Sequence, residues 1–419
     1  MRVLVSSQDG WGYLVSRYPS VTHAFIVAEV RALRAAGVRV ETASVRRVPE
    51  DQVLSPAHRE EQARTYALLP AGLTRLLSAH VRALVRAPGA YLATLGHALR
   101  LAHAGGRARL WQLFYFGEAP LLWRWLAKQG LHHVHVHHAN VSADVAMLAC
   151  HYANLAGGEP RWTWSITLHG PTELLDVAAH KLPAKVADAS AVICTSDYMR
   201  SQVSMFAEPA DLAKVRTVRC GIDAAAFKPS VRERGSGDSV EILCVAALSR
   251  RKGHDVLLRA LALARADGAS AHLVLAGDGP ERERLEALAA ELEIRDVVRF
   301  EGAVRHDQVP ALCARADLFC LASFAEGVPT VLMEAMATEL PVVATNVNGV
   351  AELVDDGETG VLVPPARPDE LAAALARLAG DPGLRERMGA AGRRRVLEDY
   401  ELGSAVANLR DVIGPLARG

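Results

Sequence analysis

The chain has 419 residues, half of them apolar and 22% charged, as in an ordinary soluble globular protein with two domains of about 200 residues each. No stretch reaches the roughly 20 uninterrupted apolar residues of a membrane span, the amino terminus lacks a signal-peptide pattern, and six cysteines without a C-x-x-C pair indicate a reduced, cytoplasmic protein. The net charge is zero, with +8 over residues 1–228 and −8 over residues 229–419, so the first half favours anionic partners such as phosphates or lipid headgroups, and we expect no nucleic-acid partner.

Short β-branched runs alternate with longer helical patterns in the first half, which is typical of parallel sheets with crossover helices. We predict strands at Arg2–Ser6, Val38–Val45, His133–His137, Thr163–Leu168, Ala191–Thr195 and Val215–Arg219. These strands indicate one Rossmann-like, doubly wound α/β domain over residues 1–228. Ligands of such domains bind at the carboxyl ends of the strands.

Residues 72–110 form a helical excursion from this alternation. Leucines recur there at helical spacing with Arg75, Arg82 and Arg86 between them, and Pro88-Gly89 interrupts the run. One interpretation is a set of helices packed on the first domain, and the other is a basic amphipathic surface that lies on a membrane. We favour the packed helices, because arginine-bearing amphipathic helices are common at ordinary surfaces and packing can account for the leucines.

Five histidines cluster between residues 132 and 138. If this segment is a strand, His133, His135 and His137 share one face, as metal ligands would. However, no cysteine or carboxylate near them in the sequence completes a ligand set, and the chain contains no D-x-D triplet. We therefore predict no metal site and no cofactor.

A polar stretch rich in glycine and proline, residues 229–238, predicts a linker. The alternation then restarts, with strands predicted at Val240–Ala246, His272–Ala276, Val297–Phe300, Leu318–Leu321, Val342–Thr345 and Val361–Val363. This restart predicts a second doubly wound domain over residues 239–395. A C-terminal helix follows over residues 396–419, and its return to the first domain is one alternative.

The strongest local pattern is the segment from Phe324 to Glu334, which runs from the end of a predicted strand into a helix. Pro329 suits the first turn of a helix, and free backbone N–H groups beside Gly327 would hold an anionic diphosphate. Glu326 precedes the helix and Glu334 lies about one turn inside it, so one carboxylate can address a sugar while the other accepts hydrogen bonds from a vicinal diol. The alternative is a solvated Glu326 and a helix-interior Glu334, which would be costly to bury without hydrogen-bond partners.

This segment resembles the E-x7-E signature of the group 1 retaining glycosyltransferases, glycosyltransferase family 4. Other turns of the second half resemble the family in its order and spacing: Lys252-Gly253-His254-Asp255, Ala276-Gly277-Asp278-Gly279-Pro280, Phe300-Glu301-Gly302, Pro341-Val342-Val343-Ala344-Thr345 and Gly349-Val350-Ala351-Glu352. Each turn is weak alone, and together they are strong. The more diverged first half resembles the branch active in polysaccharide and natural-product glycosylation, through Tyr18-Pro19-Ser20, Phe25-Ile26, Glu29 and Leu168-His169-Gly170.

The resemblance implies the GT-B fold, in which two Rossmann-like domains face each other across a cleft, the first binding the acceptor and the second the nucleotide-sugar donor. It implies that Glu334 binds the donor ribose, Glu326 the transferred sugar and Lys252 the departing diphosphate. His169 would reach across the cleft to the transferred sugar, the alternative being a helix-capping or structural histidine. The donor site would further include Gly12, in the loop after the first strand, and Arg250, Gly302, Val304, Gly327, Val328, Pro329 and Thr330.

At one position the chain departs from the family pattern. The family usually has an arginine five residues before the lysine, and Ala247 occupies that position here. Arg250 and Arg251 are near in sequence, but we do not expect equivalent geometry from a loop position three or four residues later. The departure puts catalytic power, or the usual diphosphate pose, in question.

These features predict a retaining, metal-independent transfer of a sugar from a nucleotide-diphosphate-sugar to a hydroxyl acceptor, in polysaccharide, glycolipid or natural-product synthesis. Two alternatives are an epimerase or hydrolase on the same scaffold, and a non-catalytic donor-binding subunit, which Ala247 would explain. The acceptor can be a small molecule, a glycan or a lipid-linked molecule, and we favour a soluble one. We expect a cytoplasmic protein, with peripheral contact at the inner face of the membrane through residues 73–101 as the alternative.

Overall fold

A computed structural model describes residues 10–20, 24–50, 53, 55–102, 105–157, 159–229 and 239–418. The chain divides into two compact units. Unit 1 contains Met1–Val218 with Val406–Gly419, and unit 2 contains Arg219–Ala405. The predicted strand Arg2–Ser6 and residues 230–238 of the predicted linker lie outside the described residues.

Unit 1 is built on a seven-stranded parallel sheet in the order β3-β2-β1-β4-β5-β6-β7. Its strands are β1 Gly10–Arg17, β2 Arg39–Arg46, β3 Tyr66–Leu69, β4 His133–His137, β5 Thr163–Leu168, β6 Ala191–Cys194 and β7 Val215–Thr217. The strand order reverses between β1 and β4, and open α/β sheets bind ligands at the carboxyl ends of the strands on either side of such a reversal.

Ten helices of unit 1 precede the carboxyl-terminal one within the described residues. They are α1 Ala24–Ala35, α2 Pro56–Arg64, α3 Leu73–Arg86, α4 Pro88–Leu101, α5 Gly106–Gln129, α6 Val141–Leu155, α7 Thr172–Leu175, α8 Val177–His180, α9 Leu182–Asp188 and α10 Asp197–Ser204. Asn140 caps α6, since its side chain accepts a hydrogen bond from the backbone N–H of Ser142 at 3.1 Å. In the part of the chain that the structure describes, no helix combines the length and apolar character that crossing a bilayer requires.

Two strands of unit 1, β1 and β3, are missing from the sequence prediction. The predicted place of Gly12, in a loop after the first strand, is wrong, because Gly12 lies inside the buried strand β1. A Cβ atom there would lie 2.5 Å from the Leu126 side chain. Gly12 therefore allows α5 to pack closely on the sheet, and the loop position on which its phosphate contact depended is lost.

Unit 2 is built on a six-stranded parallel sheet in the order β10-β9-β8-β11-β12-β13. Its strands are β8 Val240–Val245, β9 Ala271–Ala276, β10 Val298–Gly302, β11 Leu318–Leu321, β12 Val342–Thr345 and β13 Gly360–Val363. All six predicted strands of the second half are confirmed: β11 and β12 match at both ends, and the other four differ by one or two residues at one or both ends. The strand order is that of a Rossmann sheet, and it reverses between β8 and β11.

Eight α-helices follow in the described part of the chain, and those before α18 belong to unit 2. They are α11 His254–Ala266, α12 Arg282–Glu291, α13 Val309–Arg315, α14 Thr330–Ala337, α15 Val350–Leu353, α16 Pro368–Gly380, α17 Pro382–Asp399 and α18 Leu402–Arg418. From Val406 onward α18 belongs to unit 1, where the Leu416 carbonyl accepts a hydrogen bond from the Thr163 hydroxyl at 3.2 Å.

Glycine is required in the turns at the carboxyl ends of β8 and β9. Gly253 has a φ of +63°, and a Cβ atom there would overlap the carbonyl oxygen of Ala322. Gly277 has a φ of +156°, and its Cβ atom would overlap the carbonyl oxygen of Ala246. These backbone contacts fix the loop after β8 against its neighbours on both sides, which positions the residues that this loop carries.

Candidate active site

The reversal in the sheet of unit 2 brings together two loops that carry charged residues. Lys252 ends a 3₁₀ turn, Arg250–Lys252, that follows β8, and Glu326 follows β11. Since β8 and β11 are neighbouring parallel strands, their carboxyl ends open at the same edge of the sheet. The two residues predicted from separate motifs therefore meet where such a sheet binds its ligand.

Glu326 is buried, with 5% of its surface exposed, and its charge is compensated. Its Oε1 accepts hydrogen bonds from Lys252 Nζ at 2.6 Å and from Ser323 Oγ at 2.6 Å. Its Oε2 lies 3.3 Å from Arg251 Nη1, and Arg251 also donates to the Ala325 carbonyl at 2.7 Å. A solvated Glu326, the alternative considered from the sequence, is thus excluded, and a buried carboxylate held this way is an ordered hydrogen-bond acceptor.

The second cation at this carboxylate is Arg251, which the sequence analysis did not assign to the site. Arg250, which it did assign, has a side chain 85% exposed, with Nε 3.4 Å from Glu281. Ala247 cannot supply a charge, and Arg251 brings one to the edge of the sheet from the turn that carries Lys252. The run Arg250-Arg251-Lys252 indicated that further positive charge lies near Lys252. Only the geometry of the turn shows which of the two arginines contacts Glu326.

Glu334 is buried in α14 and has a histidine partner that the sequence did not reveal. Its Oε1 lies 2.9 Å from Nε2 of His306, which stands in the loop after β10. The hydrogen bond to Glu334 raises the pKa of His306 above its usual value, because it favours the protonated ring. The hydrogen bond to His306 compensates for part of the free-energy cost of burying the Glu334 carboxylate.

Helix α14 begins at Thr330, one position later than the sequence suggested. Pro329 precedes the helix at its N-cap with a φ of −74°, rather than standing in the first turn. Val328 and Pro329 are buried and Gly327 is half-buried, and the backbone N–H of Glu326 donates to Asn348 Oδ1 at 3.2 Å. Helix α14 thus begins four residues after Glu326, and a helix amino end favours anions.

The end of β10 holds the remaining donor-site candidates of unit 2. Gly302 has a φ of +77° and forms a β-bridge with Gly277, so the two turns lie side by side. Val304 packs on the apolar core of the unit. Both precede His306, whose contact with Glu334 shows that this loop reaches α14.

In unit 1, His169 follows β5 and belongs to a buried polar network. Its Nε2 lies 2.8 Å from Nδ1 of His137, and its ring lies 4.8 Å from that of Phe25. Nε2 of His137 lies 3.3 Å from Glu29 Oε1, which also accepts a hydrogen bond from the Tyr13 hydroxyl at 2.8 Å. Burial, then Glu29, raises the pKa of Tyr13, so its hydroxyl is a neutral donor. The contacts of Tyr13 and Glu29 thus orient the ring of His137, which in turn contacts His169.

His133 and His135 bond to hydroxyl groups of the neighbouring strand β5. His133 contacts Thr163 at 2.8 Å and Ser165 at 2.9 Å, and His135 contacts Ser165 at 2.8 Å and Thr167 at 3.0 Å. Burial lowers the pKa of His133 to about 3 and that of His135 well below its usual value. We call these paired side chains the histidine ladder. Both rings are neutral and have hydrogen-bond partners on each nitrogen.

One premise of the metal prediction is wrong. The fold brings Glu29, remote in sequence, to His135 and His137, and one potential ligand atom from each lies within 4.8 Å of the others. The hydroxyl partners on both nitrogens of His135 and the Tyr13 bond on Glu29 fit a hydrogen-bonded network better than a metal site.

We predict that chelation leaves activity intact, because Lys252 and Arg251 already supply positive charge at this site. The measurement is turnover in excess EDTA, with the same protein dialysed into untreated buffer as the control. Loss of activity that a single divalent ion restores would contradict the prediction.

Comparison with known proteins supports the family resemblance. A profile of the family described as "Glycosyl transferases group 1" matches residues 230–395. The alpha-D-kanosaminyltransferase of Streptomyces kanamyceticus is 39% identical over 167 residues, which cover 40% of this chain and 43% of that protein. The GDP-mannose-dependent alpha-(1-6)-phosphatidylinositol monomannoside mannosyltransferase of Mycolicibacterium smegmatis is 32% identical over 254 residues, which cover 57% of this chain and 66% of that protein. The chain thus spans less than two thirds of the length of either relative.

A solved structure shows the same fold over nearly the whole chain. The Anabaena protein Alr3699/HepE in complex with UDP superposes with a TM-score of 0.72, at 17% sequence identity, and covers 97% of this chain and 100% of that chain. The two parallel-sheet units therefore have the GT-B fold. With the profile match and the two relatives, the second half of the chain is similar to the group 1 glycosyltransferases.

Proposed function

We propose that this protein is a retaining glycosyltransferase that moves a sugar from a nucleotide-diphosphate-sugar to a hydroxyl group of an acceptor. The observation that carries the proposal is the convergence of Lys252 and Arg251 on buried Glu326, which precedes α14 by four residues. Such a site offers fixed positive charge to a diphosphate and a fixed acceptor to a sugar hydroxyl. The kanosaminyl and mannosyl transfers named for the relatives, and the UDP in HepE, support this class of donor.

In the proposed reaction, the backbone from Gly327 to Thr330 and the cation of Lys252 hold the diphosphate. The bond between the sugar carbon and the diphosphate oxygen breaks, and its electron pair leaves with the diphosphate, where Lys252 and the helix amino end stabilise the charge. The acceptor oxygen bonds to the same carbon on the same face, and its proton passes to the departing phosphate oxygen. Glu326 accepts a hydrogen bond from the transferred sugar throughout.

Glu334 would hold the nucleotide by its ribose. We propose that the ribose diol donates to the carboxylate while His306 keeps its bond to Oε1. A carboxylate held by such a hydrogen bond is a fixed acceptor, and an ionised carboxylate binds neutral hydroxyl groups more strongly than an amide would.

His169 stays a predicted contact of the transferred sugar. Its position after β5, at the carboxyl end of the sheet of unit 1, supports this role, and so does the network that fixes the ring of His137 beneath it. The same contacts are also those of a purely structural histidine. Unchanged turnover of a His169→Ala variant would establish that structural role.

The direct test begins with a donor screen on the purified chain. A specific nucleotide-sugar raises the temperature of unfolding by mass action, so UDP-, GDP-, ADP- and dTDP-sugars can be ranked by that shift. Transfer from the selected donor to a panel of hydroxyl acceptors is then followed by NMR, which also reports whether the anomeric configuration is retained.

The alternatives predict different products in the same experiment. An epimerase or a hydrolase consumes the donor equally well without any acceptor. A non-catalytic subunit, which Ala247 suggested, binds the donor but neither transfers nor hydrolyses it in isolation. The contact of Arg251 with Glu326 argues against that alternative, because it supplies a second cation at the edge of the sheet.

A further inference from the structure

Three consecutive helices of unit 1, α3, α4 and the start of α5, expose large apolar side chains. Leu73 is 70% exposed and Val85 is 77% exposed, and Leu77, Val81, Trp111 and Phe114 are exposed as well. We call this surface the apolar face. The expectation that packing accounts for the leucines of this region holds for Leu76, Leu95 and Leu101, which pack on the core, and fails for exposed leucines such as Leu73 and Leu77.

The buried contacts of these helices are made by alanines. Ala79 and Ala83 are the buried residues of α3, and Ala90 and Ala98, with Thr94, are those of α4. Small side chains let helices approach closely, and several of the larger side chains of the same helices remain exposed. A concentration of large exposed apolar side chains of this kind indicates an interaction site.

The charge of this region has one sign. Residues 62–117 contain seven arginines and no aspartate or glutamate. A helix surface that faces only water usually mixes both signs, and a partner protein of mixed charge would not select such a bias. A large anionic surface would favour a region whose charges are all positive.

A cationic pocket of about 490 Å³ adjoins the apolar face. Its four basic side chains, spaced one turn apart in pairs on α3 and α5, are Arg82, Arg86, Arg124 and Lys128. Trp123 and Trp162 line it as well, together with one carboxylate, Glu159. On α3, Arg82 and Arg86 directly follow the exposed Val81 and Val85. The pocket therefore has the charge and the size for a phosphate group at the edge of an apolar surface.

Arg75 does not belong to this pocket. Its Nη2 donates to the carbonyl oxygens of Ala67, at 2.7 Å, and Leu68, and its guanidinium lies 4.9 Å from the centre of the Tyr66 ring. These bonds tie α3 to the end of β3. A charge reversal at Arg75 would disturb the fold, so it is unsuitable for testing a surface.

We propose that the apolar face docks this protein on a bilayer that contains anionic lipid. The leucines, Trp111 and Phe114 enter the interface between headgroups and acyl chains, and the cationic pocket holds a lipid phosphate. Apolar side chains and single-signed arginines on one surface match the two components of such a bilayer. This inference goes beyond the proposed transfer reaction and does not depend on it.

The test is flotation of the full chain with vesicles of phosphatidylcholine alone or mixed with phosphatidylglycerol, at low salt. The wild type should float with the mixed vesicles only. Arg82→Glu with Arg86→Glu should weaken that binding by at least about 25-fold, since each arginine near an anionic surface contributes a factor of about five. Trp111→Ser with Phe114→Ser should weaken it as well.

The matched control is Arg259→Glu with Arg377→Glu, which reverses two exposed arginines of unit 2 and should leave flotation unchanged. Circular dichroism and thermal unfolding check that each variant folds. Donor protection against unfolding should be the same in all variants, which separates a failure of docking from a failure of the proposed function. A wild type that stays unbound, or variants that float like it, would overturn the proposal. The proposal would also be overturned if the wild type did not bind vesicles but bound itself or a protein partner, and if Trp111→Ser with Phe114→Ser abolished that association.

Discussion

Replacing Lys252 by alanine should lower kcat by about 10²–10³-fold and leave the KM for the acceptor within a few-fold. The reason is that the Lys252 cation, now 2.6 Å from Glu326, matters most when the diphosphate acquires charge as it departs. Steady-state rates with the donor and acceptor varied separately give both constants.

The same turn provides the controls. Arg250→Ala should behave almost as wild type, because that side chain is exposed and contacts Glu281. Arg251→Ala should fall between the two, since its guanidinium shares the carboxylate with Lys252. Turnover of Lys252→Ala within a few-fold of wild type would transfer the role to Arg251. Ala247→Arg adds the usual family charge, and faster transfer would show that this charge limits the rate.

Glu334→Ala should weaken nucleotide binding by about 10- to 150-fold, which corresponds to the ~1.5–3 kcal/mol of a hydrogen bond to a charged group. Calorimetric titration with the nucleotide alone measures this effect without any contribution from the acceptor. Unchanged affinity would refute the ribose assignment.

His306→Ala is the matched control for Glu334, because it removes the other half of the same pair and keeps the carboxylate. If Glu334 binds the ribose, His306→Ala should weaken nucleotide binding much less than Glu334→Ala. Equal losses would mean that Glu334 acts only by holding His306 in the loop after β10.

The sequence predicted the sheet of unit 2 well because its strands are short apolar runs bounded by glycine turns. The strand β1 escaped prediction because its sequence, from Gly10 to Arg17, contains two glycines that resemble loop residues. In fact Gly12 is a packing position, and packing is decided by α5, more than a hundred residues later in the chain. Local pattern cannot report such a contact.

Contacts between residues that are distant in the sequence could not be predicted, for the same reason. Glu326 and Lys252 were predicted from family motifs, but His306 meets Glu334, and Glu29 meets His137, only through tertiary folding. The helical spacing of α3 showed that it has two faces. The buried face is the one that carries Ala79 and Ala83, which fit against their neighbours. The pattern of leucines suggested that the leucine-bearing face is buried instead.

The histidine ladder makes unit 1 sensitive to acid. Folded His133 has its pKa lowered to about 3, whereas the unfolded chain takes up that proton near pH 6.5. As the pH falls below 6.5, the unfolded state therefore binds more protons, and the free energy of unfolding drops by up to about 1.4 kcal/mol per pH unit for each such ring. The neutral rings contribute their full stability only above pH 6.5, so acid denaturation curves should shift to lower pH in a His133→Gln variant that keeps its bonds to β5.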